Sequence, residues 1–91
     1  MTGRFATSKA GHDRETCYVI VSEENDFVYL CDGRKRKLQS PKKKRKKHTQ
    51  IADRTVSEEL LKRLKAGERV WDEEIKYAIK QYLKKNQGNY Y

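Results

Sequence analysis

Between residues 34 and 47 the chain reads RKRKLQSPKKKRKK, with ten Lys or Arg residues and no acidic residue. These ten are part of 22 basic residues in the chain, so 12 basic residues face 13 acidic residues elsewhere. The formal net charge of +9 is therefore concentrated in residues 34–47, called the basic segment below, on a nearly neutral body. A local excess of this kind suits a polyanion, with nucleic acid first and an anionic membrane surface second.

The length of 91 residues allows one small domain with a thin core, since only 35% of the residues are hydrophobic and 38% are charged. The first residues contain no apolar stretch typical of a signal peptide, which predicts a cytoplasmic rather than a secreted protein. No apolar run approaches the roughly 20 residues that cross a bilayer, so we expect no membrane insertion.

Cys17 and Cys31 are the only cysteines, and they lack the close pairing typical of zinc sites. His12 and His48 likewise have no ligand partner at a suitable spacing, so we expect no metal and no cofactor. Both cysteines lie in apolar runs, which predicts buried side chains on strands. If their strands pair, a disulfide between the two cysteines is possible, although a reducing cytosol disfavours it.

Short strand patterns dominate the first half of the chain. Residues 3–8 predict one strand, and residues 17–21 and 27–31 predict two strong ones that form a hairpin. Asp32-Gly33 predicts a tight turn into a fourth, exposed edge strand at residues 34–38, and residues 48–51 predict a fifth. Self-repulsion among the six like charges of residues 42–47 predicts a mobile, extended run. This many closely spaced strands favours a small barrel.

The second half of the chain has helical periodicity. Thr55 and Glu58 fit a capping box, and Gly67 predicts the end of that first helix. Asp72 is the predicted N-cap of a second helix. Apolar residues at helical spacing form one stripe on each helix; they are Val56, Leu60, Leu61 and Leu64, then Ile75, Ala78, Ile79, Tyr82 and Leu83. We therefore expect an antiparallel helical pair with Trp71 packed at its corner.

The succession GRFATSKAGHDRETCYVIV, FVYLCDGRKRKL and PKKKRKKH resembles KOW-motif proteins. It is most similar to the small bacterial KOW-domain RNA-binding proteins, which are akin to archaeal and eukaryotic large-subunit ribosomal proteins. The resemblance implies a mainly β fold with added helices: a small SH3-like β-barrel at residues 1–54 and a helical pair at residues 55–91. It implies RNA binding, commonly of ribosomal RNA, with the motif's glycine at Gly11.

The predicted function is non-catalytic RNA binding, in which the basic segment supplies phosphate affinity and the loop around Gly11 supplies shape fit. No grouping of nucleophile, base and orienting residue indicates an enzyme. The candidate RNA-binding residues are Lys9, Gly11, His12, Arg14, Arg34, Lys35, Arg36, Lys37, Lys42, Lys43, Lys44, Arg45, Lys46, Lys47 and His48.

Other interpretations stay open at the level of sequence. The chain is alternatively a protein-interaction module whose helices at residues 55–87 bind a protein partner. For RNA binding, association with the assembled ribosome also stays open. PKKKRKK also resembles a nuclear import signal, and charge alone does not separate RNA from DNA. Phe5, Tyr18, Phe27 and Tyr29 can stack on bases only if they are exposed, and core packing is the alternative.

Overall fold

Five antiparallel strands and two C-terminal helices form the fold in the computed structural model, which describes residues 1–8 and 16–88. The strands are β1 (Arg4–Ser8), β2 (Cys17–Glu24), β3 (Phe27–Cys31), β4 (Lys42–Arg45) and β5 (Thr49–Thr55). They form one sheet in the order β4-β3-β2-β1-β5. The helices are α1 (Glu58–Ala66) and α2 (Asp72–Gly88), so the fold is mixed, with a β half followed by an α half.

Strand β2 occupies the centre of the sheet, as its apolar residues on both faces predict. Val19 pairs with Cys31 of β3 and faces the helices, whereas Ile20 pairs with Leu30 and faces the opposite side. The side chains of Val19 and Ile20 are completely buried. The predicted hairpin of β2 and β3 is confirmed, and its two-residue turn places Asn25 at a φ of 53°.

Each face of the sheet therefore has its own core. The helix-side core joins buried sheet and helix residues; these are Phe5, Cys17, Val19, Cys31, Val56, Leu60, Ile75 and Ile79. The second core is built from the sheet alone; it contains Ala6, Tyr18, Ile20, Val28 and Leu30, with Ile51 packed against it. The helices thus cover one face of the sheet, while the sheet must curl around the other core.

The connection between the two edge strands demonstrates this curl. A single 3-10 turn, Lys46–His48, joins β4 to β5. The last residue of β4, Arg45, and the first residue of β5, Thr49, are four residues apart and thus at most about 14 Å apart. The outer strands of a flat five-stranded sheet lie about 19 Å apart. Within the described residues no pairing joins β4 to β5, so the sheet is strongly curled but open, and the predicted closed barrel is not confirmed.

The ends of the helices agree only partly with the sequence patterns. The capping box at Thr55 and Glu58 is wrong, because Thr55 still belongs to β5 and the Ser57 hydroxyl accepts the N–H of Leu60 instead. Gly67 ends α1 as predicted, in the left-handed conformation with a φ of 71°. Asp72 is the first residue of α2, and its carboxylate accepts a hydrogen bond from elsewhere in the chain.

Most of the predicted apolar stripe packs into the helix-side core, and the Tyr82 ring stacks on Phe5 with 4.1 Å between ring centroids. Leu83, however, is 42% exposed and Trp71 is 51% exposed, so Trp71 does not pack at a helix corner. Arg63 of α1 forms a bidentate ion pair with Glu74 of α2. A groove of about 720 Å³ is lined by both helices, which rest on the sheet instead of closing fully on each other.

Both cysteines are free, as well as buried as predicted. Cys17 pairs with Thr7 and Cys31 pairs with Val19, so the two are not directly opposed on neighbouring strands. Burial raises the pKa of the Cys17 thiol to about 11 and that of Cys31 to about 12, the latter with help from the charges of Asp72 and Asp32. Neither thiol is ionised at neutral pH, and thiolates are the reactive form of cysteine.

Candidate nucleic-acid interface

The first half of the basic segment is a closed loop, and the edge strand predicted at residues 34–38 is wrong. The Asp32 carboxylate accepts the backbone N–H groups of Arg34 and Arg36 at 2.8 and 2.9 Å. The N–H groups of Asp32 and Gly33 in turn donate to the Arg36 carbonyl oxygen at 3.0 and 3.2 Å. An Asp side chain that captures following N–H groups in this way replaces strand pairing with a local turn.

All four cations of this loop point into solvent; they are Arg34, Lys35, Arg36 and Lys37. Among the residues that the structure describes, none of the four is in an ion pair. No ion pair within the described residues offsets their mutual repulsion, which is relieved when an anion binds. We call residues 34–37 the basic loop.

Helix α2 supports the basic loop from beneath. The N–H of Leu38 donates to the Asp72 carboxylate at 2.8 Å, and the Leu38 side chain packs against the helix-side core. Gly33 has a φ of 79°, and a Cβ placed there would lie 2.5 Å from the carbonyl oxygen of Asp72. This contact requires glycine twice over, for its left-handed conformation and for its lack of a side chain. The loop is thus held at both ends before any ligand arrives.

The second half of the basic segment is ordered as well, so the mobile run predicted at residues 42–47 is wrong. Lys42–Arg45 forms strand β4 and pairs along its length with β3, and Lys46–His48 forms the 3-10 turn. Pairing places Lys42 and Lys44 opposite Leu30 and Val28, on the face of the second core. Because side chains alternate along a strand, Lys43 and Arg45 point to the other face.

The cations on the inner face serve the fold. Lys44 donates from Nζ to the hydroxyl of buried Ser8 at 2.7 Å, which connects edge strand β4 to β1 across the curled sheet. The Nζ of Lys42 lies 5.9 Å from the centre of the buried Tyr18 ring. Lys46 forms an ion pair with Glu23 at 3.0 Å, and this contact is the main cause of the lowered pKa of Glu23. These three side chains are less exposed than the basic residues that alternate with them, Lys43, Arg45 and Lys47.

The cations on the outer face surround an aromatic ring. The Nζ of Lys43 lies 4.3 Å, and the guanidinium carbon of Arg45 lies 5.3 Å, from the centre of the Phe27 ring. Phe27 and Tyr29 are only partly buried, whereas Phe5 and Tyr18 are in the cores. Of the four aromatic residues considered from the sequence, two are thus excluded as base-stacking surfaces and two stay available. Lys47 and His48, at the end of the strand, are exposed.

The candidate residues Lys9, Gly11, His12 and Arg14 lie outside the described residues. Ser8 is the last described residue before them, and it contacts Lys44 of β4.

Sequence reasoning placed Asp32 in a turn and Asp72 at a helix N-cap, but it missed that both residues organise the basic loop. Asp32 had a readable signal, since Asp followed by Gly is typical of turns closed by the Asp side chain. Asp72 had none, because its bond to Leu38 joins residues 34 positions apart. Within residues 1–8 and 16–88, no group of three His, Cys, Asp or Glu side chains is arranged to hold a metal ion. No helix in this part of the chain has the length and apolar character needed to cross a membrane.

Comparison with known proteins found no family model and no curated protein that matches this chain. The KOW resemblance therefore stays a prediction from the residues quoted above.

Proposed function

We propose that this protein is a non-catalytic RNA-binding protein that contacts structured RNA, with ribosomal RNA as the first candidate. It uses its basic loop and the outer face of β4, which carries Lys43 and Arg45. One observation carries the proposal: four exposed cations at residues 34–37 are fixed on a closed backbone and have no acidic partner among the described residues. Such a surface binds phosphates without first ordering a flexible chain, so less entropy is lost on binding.

The outer face of β4 adds a second kind of contact. Lys43 and Arg45 provide charge, and Phe27 beside them provides an apolar ring for an unpaired base. Cations combined with partly exposed aromatic rings favour RNA with unpaired bases over a protein or a membrane surface, which offer no bases to stack. The raised pKa values of both thiols support a role without nucleophilic catalysis.

The proposal includes an SH3-like barrel as the fold type and the cytoplasm as the location. The strong curl of the sheet, the 3-10 turn between β4 and β5 and the enclosed second core support the barrel. The contact between Lys44 and Ser8 places the last described residue before the Gly11 segment against β4, which supports a shared RNA surface.

The direct test is filter binding of a ribosomal RNA stem-loop at several salt concentrations. The variant R34Q/K35Q/R36Q/K37Q removes the basic loop's charge without changing its backbone hydrogen bonds. Each lost phosphate contact lowers the slope of log affinity against log salt by about 0.7 to 0.9. We expect the slope to fall by about 3 and the affinity near 0.1 M salt to fall at least about tenfold.

The control variant R54Q/K62Q/K65Q/K85Q removes the same charge from exposed positions on β5, α1 and α2. A general electrostatic effect would weaken both variants equally, whereas a contact at the basic loop weakens mainly the first. Retention of wild-type affinity by the loop variant contradicts the proposal.

A second candidate function, protein binding through the helices, is favoured by the groove between them. Tyr77 is 65% exposed at this groove, and Phe5 and Tyr82 also line it. Crosslinking in cells, with RNA sequencing and mass spectrometry of the products, separates the two functions. Ribosomal RNA as the dominant product supports RNA binding, and a protein crosslinked at Tyr77 with no RNA supports the alternative.

A further inference from the structure

The solvent face of α2 carries a row of lysines outside the basic segment. Lys76, Lys80 and Lys84 follow one another at intervals of four residues, and all three side chains are exposed. On an α-helix this spacing advances about 6 Å along the axis and turns about 40° around it at each step. The three ammonium groups therefore form a gently winding row about 12 Å long.

The row is electrostatically unfavourable for the isolated helix. Like charges four residues apart repel each other on a helix surface. Lys80 has no acidic residue three or four positions away in either direction, and Lys84 has none either. Within the described part of the chain none of the three forms an ion pair, although Arg63 on α1 pairs with both Glu59 and Glu74. Lys76 has Asp72 and Glu73 four and three positions before it, so the uncompensated charge of the row is that of Lys80 and Lys84.

The row begins at the basic loop. A Cβ placed on Gly33 would lie 2.7 Å from Cγ of Lys76, so the Lys76 side chain lies directly against the start of the loop. The Asp72 carboxylate, one turn earlier on α2, holds Leu38 at the loop's far end. The loop and the lysine row are thus parts of one surface with a fixed mutual position. Lys76 is the residue at which the two parts meet.

We infer that α2 extends the RNA-binding surface, with Lys76, Lys80 and Lys84 contacting successive phosphates of an RNA backbone that leaves the basic loop. This inference rests on the proposed RNA-binding function and names a further contact of the same ligand. The helix supplies phosphate contacts that position the RNA, without base recognition. Helix α2 thereby has two roles, since its buried face packs on the sheet and its exposed face binds the ligand.

The test compares two variants with equal charge. K76Q/K80Q/K84Q removes the row on α2. K62Q/K65Q/K85Q removes three other exposed lysines, two on α1 and one on α2. Filter binding of the stem-loop with a single-stranded extension is measured from low to moderate salt. Circular dichroism first checks that each variant keeps its helices.

The row variant is expected to bind about tenfold more weakly near 0.1 M salt, and its slope of log affinity against log salt is expected to fall by about 2. The control variant is expected to lose less than about threefold in affinity. A shortened RNA that fills only the basic loop is expected to bind both variants equally well. Equal losses for the two variants on the extended RNA, or no loss in the row variant, overturn the inference and leave the proposed function standing. Failure of the wild-type protein to retain RNA overturns the proposed function itself.

Discussion

The two halves of the basic segment have nearly the same composition and opposite structures. Residues 34–37 form a loop whose cations all face solvent, while Lys42–Arg45 forms a strand whose cations alternate between two faces. In the loop, two acidic residues bind the backbone and leave the basic side chains free. In the strand, pairing with β3 orders the backbone, and Lys44 is held by Ser8.

This difference shows that charge density alone does not reveal what a cation does. A lysine that faces a core contributes to folding, and its neighbour one position along the strand is available to a ligand. Substitutions in the basic loop and on each face of β4 separate these roles.

The basic loop depends on close contact between Gly33 and α2. We expect Gly33→Ala to lower the free energy of unfolding by about 2 kcal/mol or more, because the left-handed conformation costs a residue with a Cβ about 1–2 kcal/mol and the new methyl group meets the Asp72 carbonyl oxygen. Chemical denaturation measures this change.

Gly67→Ala is the matched control, since Gly67 has a similar φ of 71° but no atom within 4 Å of the added Cβ. Gly67→Ala incurs the conformational cost without the clash. It should therefore lower the free energy of unfolding less than Gly33→Ala does, by about 1 kcal/mol or more. Equal losses in the two variants would show that the loop is not seated tightly on α2.

The next effect separates the two faces of β4. We expect Lys44→Met to lower the free energy of unfolding by about 1 kcal/mol, since it removes the charged donor to Ser8. Lys43→Met removes the same group from the exposed face and should change stability by less than about 0.5 kcal/mol. Denaturation of both variants gives the comparison, and a larger loss for Lys43→Met would reverse the assignment of the faces.

The smallest effect concerns the ion pair between Arg63 of α1 and Glu74 of α2. Hydrogen bonds from Arg63, then from the N–H of Trp71, lower the pKa of Glu74 below its ordinary value of 4.5. The ionised carboxylate therefore contributes stability above pH 4.5, and that stability is lost as the pH falls through the lowered pKa. Glu74→Gln should lower the unfolding midpoint slightly at pH 7, and this difference should fade in acid.

Glu73→Gln is its control, because Glu73 is exposed in the same first turn of α2 and makes no ion pair within the described residues. The two variants share the effect of the helix dipole and differ in the contact with Arg63. A Glu74→Gln difference that persists unchanged below the lowered pKa would contradict the assigned cause.

Local patterns predicted the parts of the fold that local physics decides. The β-branched and aromatic run at residues 17–21 predicted a central strand, and the helical stripes and Gly67 predicted the helices and the end of α1. The basic segment was predicted wrongly in both halves, with an edge strand expected at residues 34–38 and mobility at residues 42–47. Like-charge repulsion favours mobility when residues 42–47 are considered alone.

Contacts between distant residues order residues 42–47, and a local side-chain contact makes residues 34–37 a loop. Strand pairing with β3, the bond from Lys44 to Ser8 and the ion pair from Lys46 to Glu23 all offset the repulsion. The loop, for its part, lost its strand because Asp32 captures two N–H groups that a strand would offer to a neighbour. The lysine row on α2 was readable from its spacing, but its position beside the loop depends on the packing of Gly33.

RNA affinity of two charge-matched variants of β4 tests the central claim most directly. K43Q/R45Q neutralises the outer face, and K42Q/K44Q neutralises the inner face, so both remove two positive charges. At a temperature where both are folded, filter binding should show a loss of about tenfold for the outer pair and less than about threefold for the inner pair. Equal losses would mean that RNA responds only to net charge, and the division of β4 into a folding face and a binding face would be wrong.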